Sequence, residues 1–265
     1  MTSLPPRPRS SGQSPTVLAI DTTAGLCSVA LLSPAGVARQ ACAMTQGHSQ
    51  QVLGLIGRVL SEAAVEPATV DAIGFGAGPG SFTGLRVACG VAQGLGFGWD
   101  RPLVAVDAMR TLAVQAAADA GPDPAGALIC VALDVRMGEV CHAVFRLGDC
   151  LEGRWPEPLA APRLGSPAAA RDAFAGFEAA RLLLAGDGFD ACEALADWSK
   201  ERTPACRSSG AVQPDAWAVA RLAARGLADG RAVDAALAAP TYLRDKVALD
   251  VDEQAALRAA RLGPR

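Results

Sequence analysis

Histidine is almost missing from this chain. Only His48 and His142 occur, and the eight cysteines never fall into a C-x-x-C pair. A zinc centre needs three or four such ligands at short spacing, so composition speaks against one. No G-x-x-x-x-G-K-[ST] is present, which removes a P-loop. No apolar run approaches the roughly 20 residues of a membrane span. Charge is sparse, at 19% of residues, and the net charge of −3 gives no general attraction to nucleic acid or anionic lipid. No secretory signal is recognisable at the start, so scattered cysteines are expected as reduced thiols in a cytoplasm. The first fifteen residues, MTSLPPRPRSSGQSP, have no apolar core and read as a disordered tail.

What the chain does have is glycine, 28 residues of it in a background that is 51% apolar. Its densest stretch is Asp71 to Asp100. Ala72 to Phe75 reads as a buried strand, which empties into Gly76-Ala77-Gly78-Pro79-Gly80. Ser81 stands where a helix N-cap belongs, and a helix is predicted from Phe82 to about Phe97. That helix carries Gly84, Gly90 and Gly94, each costing about 1 kcal/mol relative to alanine. Small residues recur every four positions, which on a helix places them on one face. One row is Gly80, Gly84, Ala88 and Ala92; a neighbouring row is Gly90, Gly94 and Gly98. Two readings stay open. A small-residue row allows tight helix–sheet packing inside one domain, or it is a docking surface for another protein.

In chain order, strands are predicted at Thr16 to Asp21, Cys27 to Leu32 and Val37 to Met44. A helix follows from about Ser49 to Ala64, its stripe formed by Val52, Leu53, Ile56, Val59, Leu60 and Ala63. After the glycine-rich stretch comes a strand at Leu103 to Val106. The pattern then returns. Ala127 to Asp134 is again an apolar strand ending on aspartate. Gly25 and Ala30 stand four and nine residues after Asp21; Gly138 and Ala143 stand four and nine after Asp134. Ala185-Gly186-Asp187-Gly188 mirrors Ala77-Gly78-Pro79-Gly80. The expectation is an α/β protein of two duplicated lobes, each on a β-β-β-α-β-α plan. Further helices are predicted at Met109 to Ala118, Pro167 to Phe177, Ala191 to Trp198 and Asp215 to Ala228. Gly230 to Pro240 reads as a loose connector, and Pro240 to Arg244 as a short ordered patch. The boundaries drawn are a tail over 1–15, an N-terminal lobe over 16–108, a C-terminal lobe over 109–247 and a tail over 248–265.

Two lobes with a strand–Asp–turn–strand in each suggest the architecture of actin, sugar kinases and chaperone ATPases. There, a turn from each lobe holds nucleotide phosphates through backbone N–H groups. Asp21, Gly80 and Ser81 are the candidate residues of such a nucleotide cleft. The first turn, Asp21-Thr22-Thr23, suits the role. In the second, Val135, Arg136 and Met137 are bulky where a phosphate needs close backbone approach. The alternative for both aspartates is plain turn chemistry at strand ends. His48 has Val52 at the i+4 position, so no metal pair forms there, and His142 reads as a core or edge residue. Ser81 lacks a visible base, and an N-cap explains it better than a nucleophile.

At Gly78 to Arg86, GPGSFTGLR, the sequence resembles the TsaB (YeaZ) family of tRNA threonylcarbamoyladenosine biosynthesis. LAIDTTAGLCSVALL, GHSQQVL, LDVRMGEVCHAVF and PTYLRDKVA extend the resemblance over most of Thr16 to Ala248. It implies two ribonuclease H-like lobes of the actin-like ATPase superfamily without catalytic chemistry or a required cofactor, nucleotide binding being at most weak. It implies a cytoplasmic scaffold and activator of TsaD, joined by the ATPase TsaE. The complex transfers threonylcarbamoyl from its adenylate to the adenosine after the anticodon, in tRNAs reading codons that begin with A. Contact with tRNA is expected through the complex, since Arg258, Arg261 and Arg265 read as a solvated tail. The resemblance also implies partner contact through the two N-terminal-lobe helices. Val52, Leu53, Ile56, Leu60, Gly84, Leu85, Ala88 and Ala92 are the interface residues it points to, and a homodimer would use the same surface. The alternative is a weak ATP-binding protein, or an ATPase- or peptidase-like enzyme of the superfamily.

Overall fold

Five residues with no solvent exposure to speak of, Val17–Asp21, form strand β1 at the centre of the first sheet. The computed structural model describes residues 14–43, 48–121, 126–177, 181–202 and 206–242, and of residues 48–50 the backbone alone. The expectations for residues 1–13, for Leu243 and Arg244, and for the end carrying Arg258, Arg261 and Arg265 lie outside the described residues. Total burial of β1 requires cover on both faces. Its side chains alternate accordingly. Leu18 and Ile20 face one apolar cluster, Val17 and Ala19 another.

The first sheet has the order β3-β2-β1-β4-β5. It combines β1 with β2 (Leu26–Ser33), β3 (Gly36–Ala43), β4 (Ala72–Gly78) and β5 (Leu103–Asp107). β1–β2 and β2–β3 are antiparallel; β1–β4 and β4–β5 are parallel. Helices α1 (His48–Glu62) and α2 (Phe82–Trp99) cover its outer face. The second sheet has the order β10-β9-β6-β7-β8, with the same alternation of pairing. It is built from β6 (Leu128–Asp134), β7 (Val140–Arg146), β8 (Arg163–Gly165), β9 (Leu182–Ala185) and β10 (Cys206–Ser208). Read from the other edge, its order maps strand for strand onto the first. This is the predicted duplication, two ribonuclease H-like lobes of the actin-like type. Gly78 and Gly186, at matching turns, both take positive φ, +117° and +97°.

Between the sheets lie α3 (Ala108–Ala120) and α8 (Ala216–Ala228), with short α4 (Leu147–Leu151) beside α3. Alanines dominate this layer, so the helices approach the sheets closely. A Cβ on Gly74 of β4 would come within 2.6 Å of the Ala223 methyl. α5 (Pro167–Ala175) and α7 (Glu193–Glu201) cover the outer face of the second sheet through Ala170, Phe174, Leu195 and Trp198. The helix expected over Ala191 to Trp198 is α7; a short α6 (Gly188–Ala191) that was not expected precedes it, with a break at Cys192, whose φ of −120° and ψ of 110° are extended.

The expected loose connector over Gly230 to Pro240 is a strap. Leu103 and Val233 exchange two backbone hydrogen bonds of 2.8 Å, and the Gln93 amide donates to the Ala238 carbonyl at 3.0 Å. Arg231 reaches back as well: it bonds Glu157 at 3.1 Å and lies over the Trp155 ring. Arg110 of α3 joins the same group, with Asp107 at 2.6 Å, Glu157 at 2.5 Å and the Pro156 carbonyl at 2.8 Å. Three separate segments, 107–110, 155–157 and Arg231 of the strap, are thus fastened by one arginine–tryptophan–carboxylate cluster.

Candidate functional site

A cleft of about 720 Å³ opens between the lobes. Its first wall is the β1–β2 turn, Thr23 to Gly25, together with Pro79 to Leu85 at the start of α2. Its second wall is the β6–β7 turn, Leu133 to Met137, with Asp187. Gln213 and Pro214 close the floor, and Thr241 and Tyr242 close the rim. The sequence predictions Gly80 and Ser81 are therefore brought to one cavity.

Asp21 is not. It is 1% exposed and does not line the cleft. Its Oδ1 accepts from the Thr23 amide at 2.8 Å and the Thr23 hydroxyl at 2.7 Å, while Oδ2 is buried with no hydrogen-bond partner. Burial pushes this carboxyl up to about 6, opposed by the two Thr23 bonds and helped by the charge of Asp215. Any side chain at Gly76 would strike Oδ2, at 2.2 Å from an added Cβ. The expectation that Asp21 touches a ligand is corrected: its carboxylate points into the protein and closes its own turn.

The turn is also committed to α2. The Thr23 carbonyl accepts from the Ser81 amide at 2.7 Å, and the Thr22 hydroxyl donates to the Gly84 carbonyl at 2.6 Å. A Cβ on Gly84 would sit 1.8 Å from the Thr22 carbonyl oxygen. Here only glycine permits the approach. Ser81 is the N-cap, its Oγ accepting from the Gly84 amide at 3.3 Å. Among the described side chains no histidine serves it; His142 lies in β7, edge-on to Phe174, and burial lowers its basicity.

The second turn takes the opposite form. Asp134 is exposed, and its Oδ1 accepts from the Arg136 amide at 2.8 Å. Arg136, Met137 and Gly138 follow one another at φ of +66°, +60° and +75°. Bulky side chains are thereby held at the cleft wall, and Met137 is 68% exposed. The groups His, Cys, Asp and Glu form no cluster able to hold a metal ion among the described residues.

The proposed partner surface needs a second correction. Val52, Ile56, Gly84, Leu85, Ala88 and Ala92 are buried against the chain's own first sheet and turn, and Leu60 is half-buried. Of that set only Leu53 stands well clear, at 54% exposure. The inner row of α2 is small so that the helix can approach the turn. The outer row is the other one: an added Cβ on Gly90, Gly94 or Gly98 meets nothing within 4 Å, nor does one on Gly57 of α1, and on Gly54 only the end of Arg58. Phe97, at 64%, and Phe82, at 40%, are exposed on the same helix. Gly54 and Gly57 on α1 went unnoticed in the sequence; two glycines inside a strong helical stripe were the available signal.

No described helix is long and apolar enough to cross a membrane. A family model of TsaD, tRNA N6-adenosine threonylcarbamoyltransferase, matches residues 41–154. A tRNA threonylcarbamoyladenosine biosynthesis protein TsaB of Escherichia coli is 30% identical over 234 residues, covering 88% of this chain and 96% of that one. The TsaB protein of Haemophilus influenzae is 38% identical over 128 residues, 48% of this chain and 52% of its own. Among solved structures, YeaZ from Pseudomonas aeruginosa superposes with a TM-score of 0.71 at 32% identity, covering 86% of this chain and all of that one (100%).

Proposed function

Because this chain belongs to the TsaB family of tRNA threonylcarbamoyladenosine biosynthesis proteins, we propose that it acts there as a non-catalytic scaffold for the transferase TsaD. The observation that carries this reading is the open glycine row Gly90, Gly94 and Gly98 beside Gly54, Gly57 and exposed Leu53 and Phe97. Two helices with bare backbone toward solvent accept another pair of helices at short distance. In this reading TsaD performs the transfer of threonylcarbamoyl to the adenosine following the anticodon. TsaE joins the pair, tRNA is met through the assembly, and the work is done in the cytoplasm. Without TsaD, a second copy takes the same face.

Several features of the cleft support the non-catalytic half. The first turn spends its carbonyls and hydroxyl on α2, Asp21 points inward, and the second turn fills its wall with Arg136 and Met137.

The docking test is Gly94→Arg, in a position where the side chain has room and the fold is unaffected. Co-purification with TsaD is expected to fall at least tenfold; unchanged recovery overturns the assignment of this face. Titration with Mg·ATP tests the other half, and tight stoichiometric binding with turnover would return the chain to the enzymes.

A further inference from the structure

All eight cysteines of the chain are free thiols, and two of them face each other. Cys27 of β2 and Cys42 of β3 are directly opposite in the antiparallel register of the first sheet. No other cysteine stands opposite a cysteine in the described strand pairings. Residues opposed in this way point to the same face, with Cα atoms about 4.5 to 5.5 Å apart. A disulfide spans Cα distances of about 4.4 to 6.8 Å, so the pair lies within bonding reach as the strands stand. Cys130 and Cys206 show the contrast, although they too share an apolar cluster. β9 lies between their strands, and two strand spacings of about 9.5 Å put them out of reach.

The pair sits where the edge of the sheet meets α1. Along β3 every second residue is half-buried, namely Ala38, Gln40 and Cys42. This face lies under the helix. The Gln40 amide donates to Glu62 of α1 at 2.9 Å, and Cys42 packs on the cluster that holds Cys27, Val52 and Ile56. Burial pushes the Cys27 thiol up to about 12, and Cys42 beside it adds to the rise. Cys27 is therefore a protonated and inert thiol by itself. Cys42, half-buried on an edge strand, is the sulfur that a small solute meets first.

We propose that Cys27 and Cys42 form a thiol pair that a hydroperoxide converts reversibly into a cross-strand disulfide, which clamps the edge strand β3 to β2. With hydrogen peroxide, the Cys42 thiolate attacks one peroxide oxygen. The S–O bond forms as the O–O bond breaks, and the departing hydroxide leaves as water with the proton that Cys42 gave up. The Cys27 sulfur then attacks the sulfur of the Cys42 sulfenic acid. The S–S bond forms, the S–O bond breaks, and the second hydroxide leaves as water with the Cys27 proton. Two thiols have lost two electrons, and one peroxide has been reduced to two waters. A thiol reductant restores the pair by exchange. The site is independent of TsaD docking, which uses the outer glycines of α1 and α2.

Arg39 lies between the two cysteines, so trypsin separates them unless a disulfide holds the pieces. After treatment of the full chain with hydrogen peroxide, residues 10–39 are expected joined to residues 40–58, and dithiothreitol is expected to part them. Equilibration with oxidised glutathione is expected to give the same link, which covers the case of a slow second step. In Cys27→Ala, Cys42 is expected to stop at the sulfenic acid and to be captured by dimedone. Hydrogen exchange at the β3 amides paired with β2 is expected to slow by about tenfold or more in the oxidised parent, and not in peroxide-treated Cys42→Ala. Circular dichroism reports the fold of each variant. Unjoined peptides under both oxidants, a preferred link to any other cysteine, or unchanged exchange in the linked chain would overturn the proposal.

Discussion

The two lobes share a sheet order and a strand-ending aspartate, yet they use that aspartate in opposite ways. Asp21 is sealed beneath Gly76 and Thr23, and its turn is stitched to a long helix. Asp134 stands in the open, and its turn swings through three left-handed residues toward the cleft. The helices after β4 and β9 differ in step. α2 runs unbroken over 18 residues, while its counterpart is split at Cys192. Duplication fixed the frame, and each copy then spent its turn differently: the first on rigidity, the second on lining a cavity.

The sharpest way to break this contrast is Gly84→Val. A side chain there runs into the Thr22 carbonyl, and a loss of about 4 kcal/mol is expected in urea unfolding. A loss below about 1 kcal/mol would mean that the first turn is not fixed by α2. The next largest effect is pH-dependent. Asp21 holds its proton up to about pH 6 when folded and only up to about 3.8, the ordinary value of an aspartate, when unfolded. The folded state then binds more protons between those values, so this group stabilises the protein at pH 4 and the benefit is lost as pH rises through 6. Against Asp21→Asn, the parent is expected to gain on the order of 3 kcal/mol between pH 7 and pH 4. Asp134→Asn, the matching change in the second lobe on an exposed side chain, is expected to alter stability by under about 0.5 kcal/mol at pH 7.

Smaller changes sharpen the comparison between inner and outer rows. Gly94→Ala adds a methyl in open space on a helix, so thermal unfolding is expected to show a gain of about 1 kcal/mol. The same substitution at Gly84 would destabilise, which separates the two rows in one experiment. Least of all, Met137→Gly relieves a left-handed residue and is expected to stabilise by about 0.5 kcal/mol in the same assay.

Much of this frame was legible from residues 16–100. The β1 run, the Ser81 cap and the Gly25/Gly138 and Ala30/Ala143 spacings gave the lobes and their repetition. The direction of α2 was not legible. Helical spacing says that Gly84, Ala88 and Ala92 share a face, and that Gly90, Gly94 and Gly98 share another. It does not say which face meets the sheet, because both rows are equally small. Asp21 was misread for a related reason: a strand-end aspartate looks the same in sequence whether its carboxylate turns toward solvent or under Gly76. The Arg110–Trp155–Glu157–Arg231 cluster joins residues over 100 positions apart, and no local pattern announces it.

The return of α8 and the strap to the first lobe has an effect on how the protein is made. When translation has passed Ala120, β1, β2, β4 and β5 have all been made, but Ala216–Ala228 and the Val233 bridge to Leu103 do not yet exist. Much of one face of the nascent sheet stays wet until those residues are made. A message cut short just before them would yield a product with an intact sequence for both turns and no lasting tertiary structure around the first.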